Sequence, residues 1–112
     1  MRLHAPLPHA VIVRAAGTVN PTGAALLAQR VAQQLRRAAH VVLDLEEVAV
    51  LCPAGVATLA DLHRDALALG GCLHIAGADH GAVAGPLRAA GLDHQLCLAW
   101  SADAAIALLP RR

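Results

Sequence analysis

Apolar positions along this chain follow two rhythms: short runs rich in β-branched residues, and longer stretches with apolar side chains at helical spacing. Residues 10 to 14, Ala-Val-Ile-Val-Arg, end at Ala15-Ala16-Gly17 and predict a strand followed by a turn. Asn20-Pro21 then opens a helix, because Asn accepts a hydrogen bond from a first-turn amide and Pro at the first helical position loses no useful donor. Leu26, Leu27, Val31 and Leu35 recur at helical spacing up to Ala38, as on an amphipathic helix lying against something flat. Val41 to Leu45 is apolar nearly throughout, which is the pattern of a central parallel strand covered on both faces. After Glu46-Glu47, the apolar stretch Val48 to Leu51 leads into Cys52-Pro53-Ala54-Gly55 and a second helix running to Leu69. Val56, Leu59, Leu62, Ala66 and Leu69 mark its expected buried stripe, and Gly70-Gly71 stops it.

Cys72 to Ala76 is the next expected strand, and Asp79 is placed to cap a third helix that runs through Val83 and Leu87 to Ala90. Gly91-Leu92 supplies that helix with a left-handed stop followed by a hydrophobic residue. Gln95 to Trp100 predicts a last strand, and Ser101 with Asp103 caps a final helix containing Ile106 and Leu109, before a tail at residues 110–112. The order β-α-β-α-β-α-β-α implies an α/β fold with a single layer of mostly parallel strands, right-handed crossovers and helices packed against it.

Composition narrows the function. A length of 112 residues suits one domain over residues 1–112 and is too short for two self-supporting ones. Hydrophobic residues make up 57% of the chain, yet Trp100 is the one aromatic residue, so the core must be built from Ala, Leu, Val and Ile. The nine basic residues are all Arg and are scattered, with a net charge of +1, which leaves no electrostatic footprint for nucleic acid. No apolar run approaches a membrane span and the N-terminus lacks a leader-like stretch, so a soluble, cytoplasmic protein without membrane insertion is expected. Cys52, Cys72 and Cys97 lie far apart without a CxxC spacing, which argues for reduced thiols and against a disulfide or zinc framework.

Seven histidines (His4, His9, His40, His63, His74, His80 and His94) include no pair at helical i, i+4 spacing with an acidic partner, so they are expected on the surface and in loops, with no metal and no cofactor. Asp44, at the expected end of a central strand, occupies a place where α/β proteins often put catalytic carboxylates. It has no second carboxylate at a useful spacing, no Ser-His-Asp set and no glycine-rich phosphate loop beside it, so the chain is not expected to be an enzyme.

The segment from Val41 to Leu62, VVLDLEEVAVLCPAGVATLADL, resembles the signature region of STAS domains, the family of anti-sigma-factor antagonists and of the cytoplasmic tails of sulfate transporters. Asp44-Leu45, Val48 to Leu51 and Cys52-Pro53-Ala54-Gly55 match a pattern of an apolar strand ending in Asp-Leu, a second apolar stretch, and Asp-Ser-Ser-Gly opening a helix. Gly17-Thr18-Val19-Asn20 resembles the family's Gly-Glu-Leu-Asp turn, and Gly70 to Leu73 with Leu87 to Leu92 resembles its third strand and third helix. The resemblance covers Val11 to Leu109. It implies a regulatory protein-binding module whose partner is an anti-sigma factor with a histidine-kinase-like ATPase fold.

Two departures from the pattern matter. In the family the first Ser of Asp-Ser-Ser-Gly is phosphorylated to switch binding off; here that position is Pro53, flanked by Cys52 and Ala54, so the motif holds no hydroxyl. Thr58 lies about one helical turn on and is a poor acceptor. The family's additional first strand has only residues 1–9 to draw on, with Pro6 and Pro8 poor for ladder bonds, so it is expected to be very short or missing, leaving an edge open to self-association.

The expected contact surface is Thr18 and Asn20 with Leu51, Cys52, Pro53, Ala54, Gly55, Val56, Thr58 and Leu59, where Gly55, lacking a Cβ, lets a partner backbone approach. Cys52 at a helix start is either an activated thiol or a small hydrophobe that fits the junction. Two other readings stay open: a module that senses a small molecule, lipid or nucleotide, in a groove beside the sheet, and a homodimeric assembly subunit.

Overall fold

The computed structural model describes residues 2–7, 9–92, 96–99 and 101–107. Within them the chain forms β1 (Arg2–Leu7), β2 (Ala10–Val19), α1 (Pro21–Leu35), β3 (His40–Leu51), α2 (Pro53–Ala68), β4 (Cys72–Ala76), α3 (Gly81–Ala89), β5 (Cys97–Ala99) and α4 (Ala102–Ala107). The strands lie in the order β1-β2-β3-β4-β5; β1 is antiparallel to β2 and every other pair is parallel. From β2 onward this is the expected α/β alternation. Trp100, Leu109 and residues 110–112 lie outside the described residues.

β3 sits at the centre because its side chains tolerate burial on both faces. Val41, Val42, Leu43, Asp44 and Leu45 are all buried. Val41, Leu43 and Leu45 join Val11 and Val13 of β2 and Leu73 and Ile75 of β4 on one face. Against that face pack Leu27 and Val31 of α1, Leu59 and Leu62 of α2, and Val83 and Leu87 of α3. The other face is lighter: Ile12, Val42 and Ala76 meet Ala102 and Ala105 of the six-residue α4.

Three expectations about the elements are corrected. The first strand of the family pattern is neither missing nor minimal: β1 runs for six residues and pairs Leu3 with Val13 and His4 with Ile12. Its register shifts between His4 and Leu7, the stretch that contains Pro6, so the proline is accommodated at an irregularity on an edge strand where a missing N–H costs least. β1 thereby covers the β2 edge that was expected to be open. Leu26 and Leu69 were expected in buried stripes but are 46% and 58% exposed; Ala24 takes the place of Leu26 on the buried face of α1, and Leu69 is the C-terminal cap of α2. Finally, α3 starts one residue later than expected, with His80 and not Asp79 at the N-cap position.

β2 and β3 are both longer than their apolar runs suggest. The expected turn at Ala15 to Gly17 is a continuation of β2, and Asp44 lies within β3, not at its end. Two register shifts, between Arg14 and Ala16 and between Gly17 and Thr18, each accommodate one extra residue on β3. The first places the exposed Glu46 and Glu47 at a bulge, which is why a charged pair interrupts the apolar pattern without ending the strand. Asp44 serves this bulge: its Oδ1 accepts from the Glu46 amide at 3.0 Å and its Oδ2 from Arg14 Nε at 3.2 Å.

β4 pairs with β3 only from His40 to Asp44 and then turns away at Gly77. Where it leaves, His80 Nε2 lies 3.1 Å from the Leu45 carbonyl and donates to it in the Nε2–H tautomer. Both α2 and α3 close with paired return bonds: Gly71 N to Ala66 O and Gly70 N to Leu67 O, then Leu92 N to Leu87 O and Gly91 N to Arg88 O. These are the Schellman patterns announced by Gly70-Gly71 and Gly91-Leu92.

Among the described glycines, Gly77 makes the closest approach to neighbouring backbone. Its φ is +67°, and a Cβ there would come within 2.7 Å of the Glu46 amide nitrogen and Cβ, whereas a Cβ at Gly81 would meet nothing within 4 Å. Gly77→Ala is therefore expected to lower unfolding stability by about 2–4 kcal/mol, from left-handed strain plus overpacking. Gly81→Ala is expected to change it by less than about 0.5 kcal/mol, both read from urea denaturation curves.

Candidate functional site

Past Asp44, β2 and β3 continue together as a ribbon that ends at two helix starts side by side. Thr18 pairs with Val50 and Val19 with Leu51, and the Cys52 amide donates to the Val19 carbonyl at 3.0 Å. The helices begin in the same way. Asn20 Oδ1 accepts from the Gly23 amide at 2.7 Å with Pro21 first in α1, and Cys52 Sγ accepts from the Gly55 amide at 3.3 Å with Pro53 first in α2. Cys52 thus stands in the N-cap position usually held by Ser, Thr, Asp or Asn, with a weaker acceptor.

The expected contact residues divide by exposure. Thr18, Asn20, Pro53 and Ala54 are exposed, and Cys52 and Thr58 are half-buried. Leu51, Gly55, Val56 and Leu59 are buried, which corrects Gly55 and Leu59 as contacts, while Leu51 and Val56 keep an edge on the groove beside the elbow. Gly55 does not invite a partner backbone: a Cβ there would lie 2.7 Å from Leu51 Cδ1 and 3.2 Å from Val19 Cγ1, so its role is to let the first turn of α2 seat on the strand ends. Other residues at the elbow, not singled out in the sequence as contacts, are also exposed. Val50 is 51% exposed, Ala57 is exposed, and Leu26 stands near Thr18 across a shallow depression. The alternation along β3, with Leu51 facing inward, was the available signal that Val50 faces out.

Beside the elbow an apolar groove of about 540 Å³ opens between α2 and α3, lined by Leu51, Pro53, Ala57, Pro86, Ala90 and Leu92 among others. Among the described residues no charged side chain lines it.

At the opposite end of the sheet the structure corrects the reading of the histidines. His40 and His74 are half-buried on strands, not surface or loop residues. Parallel pairing sets His40 beside Cys72 and Val42 beside His74, and strand alternation puts Cys72 and His74 on the same face. One donor atom each from His40, Cys72 and His74 lies within 4.8 Å of the others, and this is the one such grouping of His, Cys, Asp and Glu found among the described residues. Burial pushes the pKa of both His40 and His74 below the usual imidazole range, and the neighbouring rings, His9 for His40 and His40 for His74, push in the same direction. His4 has no described side chain, and His94 lies outside the described residues.

The geometry can be compared with known proteins. The family model described as "Mlab, STAS domain" matches residues 5–105. The chain belongs to the STAS domain family. The sequence matches no curated protein. Among solved structures, the STAS domain is similar to a putative anti-sigma factor antagonist from Thermotoga maritima, with a TM-score of 0.84 and 16% identity over 98% of this chain and 94% of that one. An anti-sigma factor antagonist from Mycobacterium paratuberculosis gives a TM-score of 0.82 and 21% identity over 95% and 89%. The anti-sigma factor antagonist SpoIIAA in its unphosphorylated form gives 0.78 and 13% over 98% of both chains. At these identities the likeness establishes the fold.

The cap at Cys52 can be weighed directly. Cys52→Ser offers a stronger acceptor to the Gly55 amide and is expected to hold or raise stability, whereas Cys52→Ala removes the cap and is expected to cost about 0.5–1 kcal/mol. Thermal unfolding of the pair checks the order.

Proposed function

We propose that this STAS domain is a non-catalytic regulatory module of the anti-sigma-factor antagonist kind, which docks a protein partner through the elbow between β3 and α2. The observation that carries the reading is the exposed elbow itself: Pro53 and Ala54 at its tip, Thr18 and Asn20 beside it on the paired strand end, and Val50 and Ala57 at its flanks, all accessible. Their backbone is held by the Cys52–Val19 bond and by two capped helix starts, so a partner meets a preorganised surface and little ordering cost is left for association. The partner class is an anti-sigma factor, or a related protein with a histidine-kinase-like ATPase fold, and the setting is a bacterial cytoplasm. In the described residues no helix is long and apolar enough to cross a membrane.

The reading includes the loss of a switch. A phosphate on the first residue of a helix meets free amides and the positive end of the helix dipole, and changes the local charge by about −2. Pro53 holds that position with no hydroxyl, Ala54 follows with none, and Thr58 is half-buried. Docking at this elbow is then not turned off by phosphorylation there.

The test uses the ATPase-fold protein that co-purifies with the chain from its native cells. Ala54→Arg and Ala57→Arg place charge on the exposed elbow and are each expected to weaken binding at least thirtyfold by calorimetry, with melting unchanged. Leu67→Arg, on a part of α2 that is 59% exposed and distant from the elbow, is expected to stay within about twofold. Equal binding by all three variants would show that the surface is wrongly placed. Incubation with ATP and that partner is expected to leave residues 48 to 60 without phosphate by mass spectrometry.

The groove between α2 and α3 favours a second reading, a site for an apolar small molecule such as a lipid tail, because its volume falls within the range of small-ligand pockets. Native mass spectrometry of the purified protein separates the two: a stoichiometric bound mass supports the ligand reading, and a bare chain supports protein docking. The open-edge argument for a homodimer loses its basis, since β1 occupies that edge.

A further inference from the structure

We propose that His40, Cys72 and His74 form a binding site for a borderline-soft transition-metal ion, with zinc as the ion that suits it. The three residues come from adjacent positions on two paired strands, so their backbone is fixed by the sheet ladder and not by a loop. Their donor atoms already lie within 4.8 Å of one another. In a tetrahedral site two nitrogens and a sulfur at zinc bond lengths stand about 3.3–3.7 Å apart, so the three side chains need to close by roughly 1 Å. Small χ rotations of two imidazoles and a thiol supply that.

Two of the three residues carry a ring nitrogen that nothing else in the described residues satisfies. His40 Nδ1 and His74 Nε2 are buried and have no hydrogen-bond partner. A buried nitrogen left without a partner costs on the order of 1–3 kcal/mol, a cost that a metal ion held by these rings would relieve. His63 Nδ1 is also buried without a partner, but His63 belongs to no such grouping among the described residues.

The donor set decides the class of ion. Two imidazoles and a thiolate suit zinc or copper and not calcium or magnesium, which require oxygen ligands. Binding converts the Cys72 thiol to a thiolate and releases one proton to solvent for each ion bound. With three protein ligands the fourth position stays open to water or to a neighbouring group; the His9 ring, 5.7 Å from that of His40, is near enough to reorient toward it. The light face of the sheet explains the access. The six-residue α4 packs on Val42 and Ala76 and leaves His40, Cys72 and His74 half-exposed. This site lies at the start of β3 and the elbow at its end, roughly 30 Å apart at ordinary strand rise, so it does not depend on the docking proposal.

The test is titration of the reduced full chain with zinc in competition with a chromogenic chelator, and with cobalt as a spectroscopic substitute. One equivalent of zinc is expected to bind, and the cobalt form is expected to show thiolate-to-cobalt charge-transfer absorption. Cys72→Ser should abolish that absorption, and Cys72→Ser and His74→Gln should each weaken zinc at least tenfold, while Cys52→Ser and His63→Gln leave affinity within twofold. As a readout that needs no variant, zinc should slow alkylation of Cys72 at least tenfold, with Cys52 in the same molecule unaffected. Absence of stoichiometric binding, binding that survives both ligand changes, or an unprotected Cys72 would overturn the assignment.

Discussion

Burial of β3 on both faces is the constraint from which the rest of the molecule follows. A strand covered on two sides must satisfy every backbone group within the sheet, and it has no solvent face on which to place a charge cheaply. Over Val41 to Leu45 the first demand is met by β2 on one side and β4 on the other. The second is met at Asp44, the one charged residue buried among those described, by making its carboxylate the acceptor for a bulged amide and for Arg14. The partly exposed ion pair is worth at most about 1 kcal/mol, so the bond to the Glu46 amide, which would otherwise be unsatisfied, is the larger part of what Asp44 does. Where β4 departs, His80 and Gly77 take over: one donates to the Leu45 carbonyl, and the other lets the chain cross against Glu46. The ribbon of β2 and β3 that carries the elbow therefore begins at a junction with its polar groups accounted for.

Much of this was legible in the chain because local and tertiary signals agree. Asn20-Pro21, Ser101, Gly70-Gly71 and Gly91-Leu92 act within one turn of backbone, so their meaning does not depend on what packs nearby, and the structure bears each out. The failures share a cause. Leu26 and Leu69 have the right residue type and nearly the right spacing, but which side of a helix faces the sheet is set by the whole stripe: Ala24, Leu27, Val31 and Leu35 form a narrower face than the apolar residues alone indicate. The strand was expected to end near Asp44, ahead of Glu46-Glu47, because a bulge breaks the period of two without breaking the strand. The start of α2 at Pro53 was legible, but four of the ten residues expected at the contact surface, Leu51, Gly55, Val56 and Leu59, are buried, two of them already in the stripe expected to face the core.

The histidine cluster was illegible for a different reason. His40 and Cys72 are more than thirty residues apart, and the helical i, i+4 criterion applies to ligands on one element. Here the juxtaposition comes from parallel register across two strands joined by a helical crossover. The residual signal was Cys72-Leu73-His74, a Cys-x-His on a predicted strand, whose two polar side chains had to share a face. That face is the one with few apolar residues to bury. The heavier face takes three helices and most of the Leu and Val, and the lighter one takes α4 and small residues.

The two ends of β3 also differ in the kind of interaction they can support. At the start of the strand, polar side chains with lone pairs converge at partial burial, an environment suited to directional, charge-dependent coordination. At the end, none of Thr18, Asn20, Val50, Pro53, Ala54 or Ala57 carries a charge, and among the described residues the groove beside them has no charged lining. An elbow of this composition would gain little from long-range steering, so under the proposed docking its contribution would come from apolar area removed from water and from the rigidity of two capped helix starts. Pro53 fits that logic. It fixes φ near the helical value at the first position of α2 and offers no hydroxyl there, so under the proposed docking the surface would keep one shape and one electrostatic state.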